Sequence, residues 1–505
     1  MTGPTQAPAG NDDHGVVFPV DADGRRGSSA TVRAVLVDAL GELSRDAAAR
    51  AASEPSWHTR YPDHVAALVR ESLAAGPAAT VAAARAGLQS LHGRLQFVRG
   101  AQAAPLRAMG SVERATPFRA TTLRGEGDPA PRALAIPYRD EMLAGDRLAR
   151  RLEQWVREGI VEPSHAHAVR EVAAHPQWLD LSDRSFVLLG ASAEVSPLAW
   201  LAGWRARIVA VDLPAARPWK RIEKFVARGN ATLIAPVRED GEGATGAGAN
   251  LLTDLPEILD WLASLEGPLT VGAYAYLDGS RHVRVAAAMD ALMARLCELR
   301  SDVSLAALAT PTDAYAVPDE AVQASRAAWA ARGVGERSWQ APIAALSRGR
   351  FFRPNHPPGS GCADYGICDS LVLQQGPNYA LAKRLQQWRA LVARADGVRV
   401  SINVAPSTTT HSVVKNPALR AAFAGAHRFG VESFDAATTS ALMAALLVYD
   451  LRSDESAANP AVSLPHPLEL LMHGANHGGM WRMPFKARSA LPFAALLGFL
   501  RLPGR

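Results

Sequence analysis

Tyr379 and Lys383 stand four residues apart in the run Asn378-Tyr-Ala-Leu-Ala-Lys-Arg384. At the start of a helix this spacing puts both side chains on one face, where an ammonium lowers the pKa of a neighbouring phenol and readies it for proton transfer. The pattern also recurs by chance, so a packed tyrosine beside a solvated lysine stays open as the plain alternative. A second feature lies upstream. The apolar run that begins at Ser185 turns at Gly190 and leads through Ser192, Glu194 and Ser196 toward a helix. A strand that turns into a helix aims backbone N–H groups at an anion. The next strand ends at Asp212, about twenty residues on, where a carboxylate can accept hydrogen bonds from ribose hydroxyls. Glu194 and Ser196 occupy places where further glycines would let a pyrophosphate come close, and the charge of Glu194 opposes one.

These residues need a scaffold, and the pattern from residue 185 onward supplies one. Short apolar strand candidates at 186–189, 207–211, 231–235, 269–272, 303–307 and 398–404 alternate with helices. That alternation predicts an α/β fold with a doubly wound parallel sheet. Before it, Val32, Val35, Leu36, Leu40 and Leu43, then Val65, Leu68, Val69 and Leu73, recur at helical spacing, as do Leu148, Leu152, Trp155 and Val156. The reading divides the chain into a loose tail (1–30), a mainly helical region (31–178), the sheet domain (179–486) and an apolar carboxyl-terminal helix (487–505). Residues 105–137, rich in Pro, Gly and Arg, read as a connecting segment without strands, and the Gly-rich stretch at 241–248 reads as a flexible loop.

The order of the motifs is the stronger signal. After the Gly190 turn and Asp212 come Asn250-Leu-Leu-Thr-Asp-Leu-Pro-Glu257, a strand running into Thr310-Pro-Thr312, the Tyr379–Lys383 pair, and Arg399-Val-Ser-Ile-Asn-Val-Ala-Pro406 with Ser407, Thr408 and Thr410 behind it. This succession, over about residues 183–485, resembles the short-chain dehydrogenase/reductase family. The resemblance implies a Rossmann-type domain that binds NAD or NADP and interconverts a carbonyl and an alcohol by hydride transfer. Tyr379 would be the general acid/base, Lys383 would bind the nicotinamide ribose and tune the tyrosine, and Thr312 would take the place of the substrate-orienting serine. Gly190, Ser192, Ser196 and Asp212 would lie along the cofactor. Asn250 and Leu251 would meet adenine, Gly272 would lie after the fourth strand, and Ser407, Thr408 and Thr410 would lie near the nicotinamide amide. The segment 473–479 resembles the family's final strand. Asp212 favours NAD, while Arg217, Lys220 and Arg221 behind it suit a 2′-phosphate, so the cofactor is left as either. The chain departs from the pattern in its glycines, in Gly272-Ala-Tyr-Ala-Tyr276 after the fourth strand, and in a long insertion at 313–378 that suits a lid or a partner surface.

Composition narrows the alternatives. A formal net charge of +5 over 505 residues, without a basic stripe, gives no expectation of a nucleic-acid partner. Cys297, Cys362 and Cys368 are too few for a disulfide framework or a four-ligand zinc site, so no metal is expected and a cytoplasmic location fits. The start of the chain shows no secretory signal. Residues 490–500, interrupted by Pro492, are too short to span a bilayer and leave membrane-surface contact as a minor option. The expected substrate is a small, fairly bulky apolar ketone or alcohol, from Trp481, Met483, Phe485 and the 491–500 helix. The resemblance also implies a homo-oligomer. Two other functions remain open: a catalytically eroded scaffold of the same fold, and an S-adenosylmethionine-dependent methyltransferase, to which the run from Leu188 to Asp212 is also similar. A serine hydrolase is set aside because Glu194 replaces the second glycine of a nucleophile elbow. His473 and His477 read as hydrogen-bonded histidines among Gly474, Gly478 and Gly479 rather than metal ligands.

Overall fold

The computed structural model describes residues 13–21, 23–238, 246–359 and 364–500. Its amino-terminal part contains β1 (Gly15–Val17), α1 (Ser28–Gly41), α2 (Arg45–Ala52), α3 (Trp57–Ala75), α4 (Pro77–Arg94), β2 (Gln96–Arg99), β3 (Gln102–Pro105), β4 (Phe118–Arg124), β5 (Ile136–Tyr138), β6 (Glu141–Leu143), α5 (Gly145–Arg157) and α6 (Pro163–Ala174). The middle runs through β7 (Ser185–Leu189), α7 (Leu198–Leu201), β8 (Arg207–Val211), α8 (Ala216–Ala227), β9 (Thr232–Arg238), α9 (Leu255–Ala263), β10 (Leu269–Ala273), α10 (Ser280–Leu299) and β11 (Val303–Ala309). Then follow β12 (Ala314–Pro318), α11 (Asp319–Ala330), α12 (Val334–Leu346), β13 (Tyr365–Asp369), α13 (Gly376–Ala395), β14 (Val400–Val404), β15 (Thr408–Thr409), α14 (His411–Lys415), α15 (Pro417–Ala426), β16 (Phe434–Asp435), α16 (Ala436–Arg452) and α17 (Ala487–Phe499).

The main sheet has the order β14-β11-β10-β7-β8-β9-β4. Its first six strands are mutually parallel, and numbered along the chain they read 3-2-1-4-5-6, a doubly wound Rossmann-type order that reverses between β7 and β10. The side chains explain why these runs are apolar throughout rather than alternating. Val187 and Leu189 of β7 enter one core with α9, α10 and α13, while Phe186 and Leu188 enter another with α5, α6, α8 and α16. Beyond α13 lies a further layer, the helices α1, α3 and α4. Gly87 of α4 lets that layer close, since a Cβ there would lie 2.4 Å from the Trp388 ring of α13. Asp290 of α10 reinforces the joint, pairing with Arg389 at 2.6 Å and with His92 of α4 at 2.7 Å.

Several expectations need correction. Residues 13–30 are not a loose tail: β1 pairs with β2, Val16 and Val17 are fully buried, and α1 begins at Ser28. Residues 1–12 lie outside the described residues, as do 241–245 of the Gly-rich loop and Cys362. The 105–137 segment contains β4, which pairs antiparallel with β9 and becomes the edge of the sheet. The region 31–178 therefore carries strands as well as helices. Residues 473–479 form turns rather than a final strand, with Gly474, Gly478 and Gly479 all at positive φ. In the 313–378 stretch, β12 and β13 pair antiparallel, and α12 joins α15 and α17 round a separate apolar cluster that includes Phe352, Phe429 and Phe485.

Candidate active site

α13 begins at Gly376, whose φ of +74° suits glycine, and carries Pro377 in its first turn, where a missing N–H costs nothing. The helix is covered by the sheet on one side and by α1, α3 and α4 on the other, so Tyr379 and Lys383 are both partly buried. The side chains of Thr310 and Gln375 lie close enough to the Tyr379 phenol to lower its pKa. The Thr310 and Thr312 hydroxyls are 3.0 Å apart, and the Gln375 amide also donates to Thr312. Lys383 Nζ donates to Leu308 O at 3.4 Å and to Gln386 Oε1 at 3.2 Å. The cluster thus gathers at the carboxyl end of β11. Thr310, the first residue after the strand, is the residue of β11's end that acts on the phenol, and Thr312 is hydrogen-bonded to Thr310 in turn.

Burial governs the protonation of this cluster. It raises the Tyr379 phenol above its ordinary 10, against the lowering effect of Thr310 and Gln375. It lowers Lys383 to about 8, with the Asp313 carboxylate opposing. Desolvation of the phenolate outweighs the groups that lower its pKa, Thr310 and Gln375. His282, in the first turn of α10, completes the surroundings. Its ring centroid is 5.6 Å from that of Tyr379 and 4.6 Å from that of Tyr276. Both its ring nitrogens are buried without a hydrogen-bond partner among the described residues, and burial together with Lys383 lowers its pKa to about 3. The imidazole is therefore neutral at pH 7.

The sheet's reversal point adjoins this cluster through one short loop. Gly190, at φ +89°, closes on the residue after Tyr274: a Cβ there would lie 2.5 Å from Ala275 N. The next residue, Tyr276, has its ring centroid 6.4 Å from that of Tyr379. Gly272 is required within β10, since a Cβ there would meet the Tyr274 ring at 2.3 Å.

The turn after Gly190 differs from expectation. The helix behind it, α7, has only four residues and starts at Leu198, so no extended helix points its amino terminus at the turn. Glu194 projects across and accepts a hydrogen bond from His411 N at 2.9 Å. Asp212 closes the turn, its carboxylate accepting from Ser192 N at 2.8 Å and from Leu213 N at 2.9 Å. Ser196 is buried, and its hydroxyl accepts from Leu198 N. Arg217, Lys220 and Arg221 are exposed on α8.

The other expected positions divide similarly. The Asn250 side chain is engaged in its own turn, accepting from Leu252 N at 2.9 Å, and Leu251 is buried in the core. Neither is presented as an adenine contact. Ser407 is buried; Thr408 donates to Pro406 O and shares a 2.8 Å hydrogen bond with Thr439; and Thr410 follows, its N–H donating to Thr408 O. Thr310, Gln375, His282 and Tyr276 were missed by sequence reasoning. Of these only Thr310 had a visible signal, its place at the end of β11.

Among the described residues there is no group of three or more His, Cys, Asp or Glu able to hold a metal ion, and no helix is long and apolar enough to cross a membrane. His477 and His473 do not face a shared ligand: His477 is buried 2.9 Å from Glu162, and His473 is half exposed beside Glu469.

No protein-family model and no curated protein matches the chain. Among solved structures it is similar to a thiolation-reductase di-domain from an archaeal non-ribosomal peptide synthetase, with 11% identity over 51% of this chain and 49% of that one and a TM-score of 0.27. It is also similar to the terminal R domain from the myxalamid PKS-NRPS biosynthetic pathway, with 16% identity over 58% of this chain and 67% of that one and a TM-score of 0.28. The chain thus spans about half the length of the first of these structures. At such TM-scores neither likeness bears on what this chain does.

Proposed function

We propose that the chain is an NAD- or NADP-dependent oxidoreductase interconverting a carbonyl and an alcohol, with Tyr379 as the proton donor and acceptor. The observation that carries this reading is the cluster of Tyr379, Thr310, Gln375 and Lys383 at the carboxyl end of β11, joined by the 274–276 loop to the reversal point of a 3-2-1-4-5-6 sheet. Ligands of doubly wound sheets bind outside the carboxyl ends of the strands at that reversal.

The residues fit a nicotinamide dinucleotide at the Tyr379 end, where both ring nitrogens of His282 are buried without a hydrogen-bond partner among the described residues. They fit it less well at the phosphates, where Glu194 stands. The Gly190 turn with Ser192 would hold the pyrophosphate, Asp212 the ribose, and Lys383 the nicotinamide ribose. When bound, the group would supply or accept the hydride. The chain's own residues handle the proton. Tyr379 Oη would give it to the carbonyl oxygen, while Thr310 and Gln375, which lower the phenol's pKa, would stabilise the oxygen as charge develops. Trp481, Met483 and Phe485, all buried, do not line an open substrate face, so an apolar substrate remains a proposal without their support.

Replacement of Tyr379 by Phe keeps the ring and removes the proton. We expect turnover of a carbonyl panel, followed by nicotinamide absorbance, to fall about 10²-fold or more. Undiminished turnover refutes the role. Glu194 and the four-residue α7 favour a second reading, an eroded scaffold of the same fold. Under it neither the parent chain nor the variant turns over any carbonyl.

A further inference from the structure

The cluster round Phe352, Phe429 and Phe485 supports a surface that the Tyr379 site does not use. On α17 and at its carboxyl cap, Pro492, Leu496, Phe499 and Leu500 are exposed at a spacing of i, i+4, i+7 and i+8, which is one helical face. On α12, Trp339, Pro342 and Leu346 form a matching stripe, with Val334 at the start of the helix. The Trp339 ring lies 6.1 Å from Phe493 of α17, so the two stripes adjoin. Leu346 is 87% exposed, Val334 80% and Leu500 77%. Side chains this exposed stand clear of the surface.

The segments that carry and adjoin these stripes are mostly basic. Residues 331–359, 411–430 and 486–500 together contain ten Lys and Arg but only one acidic residue, Glu336. Lys486 and Arg488 are paired with Asp369, whereas Arg337, Arg348, Arg350, Arg353, Lys415 and Arg428 are exposed.

We propose that this face docks on the surface of a membrane containing anionic lipid. Two observations select that occupant. The net positive charge calls for an acidic counterpart, which disfavours a second copy of the same basic face. The apolar side chains project as ridges, so a rigid protein would need a matching hole for each, whereas the boundary between headgroups and acyl chains admits them without a preformed pocket. Leu346, Leu496, Phe499 and Leu500 enter that boundary. Trp339 sits at headgroup level, and the arginines extend to the lipid phosphates.

The test is flotation of the full chain with vesicles of phosphatidylcholine alone and of phosphatidylcholine mixed with phosphatidylglycerol. Binding to the mixed vesicles should exceed binding to the neutral ones about tenfold and weaken with added salt. The double variants Leu346→Ser with Phe499→Ser, and Arg348→Glu with Arg350→Glu, should each lower it about tenfold. Their melting temperatures should match the parent's, because all four side chains are exposed. Absence of binding to the mixed vesicles, equal binding to both kinds, or unchanged binding by both variants overturns the proposal. So does a dimer, seen by sedimentation, that the same substitutions dissolve.

Discussion

A phenol, an ammonium and an imidazole share one buried corner of this protein, and desolvation pushes each toward its neutral form. The signs yield two predictions. Lys383 has a folded pKa of about 8 against an ordinary 10.5, so below pH 8 it is charged in both states and burial of that charge costs stability; the cost is relieved as pH rises from 8 to 10.5. Lys383→Met should therefore stabilise the protein at pH 7, by roughly 1–2 kcal/mol after allowance for partial solvent access, while impairing turnover. Urea melts at pH 7 and pH 10 should show the advantage shrinking at the higher pH. His282, lowered from 6.5 to about 3, binds fewer protons folded than unfolded between those values, so it costs stability as the pH falls through that window. His282→Phe keeps an aromatic ring and should flatten the decline in stability between pH 6 and pH 4. An equally steep decline contradicts its burial as a neutral ring. The Tyr379–Lys383 spacing was legible in the sequence, because helical periodicity is local. The roles of Thr310, Gln375 and His282 were not, because each depends on contacts between residues far apart in the chain.

At the scale of elements, the six parallel strands could be read from apolar runs, since a strand covered on both faces has no polar side to interrupt it. β4 was missed for the opposite reason. It is an edge strand, mostly exposed and rich in Arg and Thr, and its sequence resembles a loop. α7 was misjudged because a glycine turn followed by apolar residues suggests a helix, whereas tertiary contacts leave only four residues helical. The joint between α4 and α13 gives a test in which propensity and packing disagree. Alanine is the better helix former by about 1 kcal/mol, yet a Cβ at Gly87 would lie 2.4 Å from the buried Trp388 ring. Gly87→Ala should therefore destabilise, by about 1–3 kcal/mol, in denaturant unfolding. A gain in stability would mean that the layers are not in contact as described.

Across the whole molecule, residues far apart in the chain are fastened together. Glu162, at the start of α6, accepts hydrogen bonds from Arg482 at 2.8 Å and lies 2.9 Å from His477 Nε2, linking the amino-terminal helices to the turns after the last strand. Glu162→Ala leaves the Arg482 charge without its partner and should cost about 3–5 kcal/mol, read as a lower melting temperature. The doubly wound order was legible in outline, from alternating strands and helices; the insertion's packing and the capping layer of α1, α3 and α4 were not, because periodicity finds a helix without saying what covers it. The central claim, a nicotinamide-dependent oxidoreductase, is tested most directly by equilibrium titration of the purified chain with NADH and with NADPH, following cofactor fluorescence. At least one of them should bind saturably, with binding retained in Tyr379→Phe while turnover is lost. No saturable binding of either would contradict it.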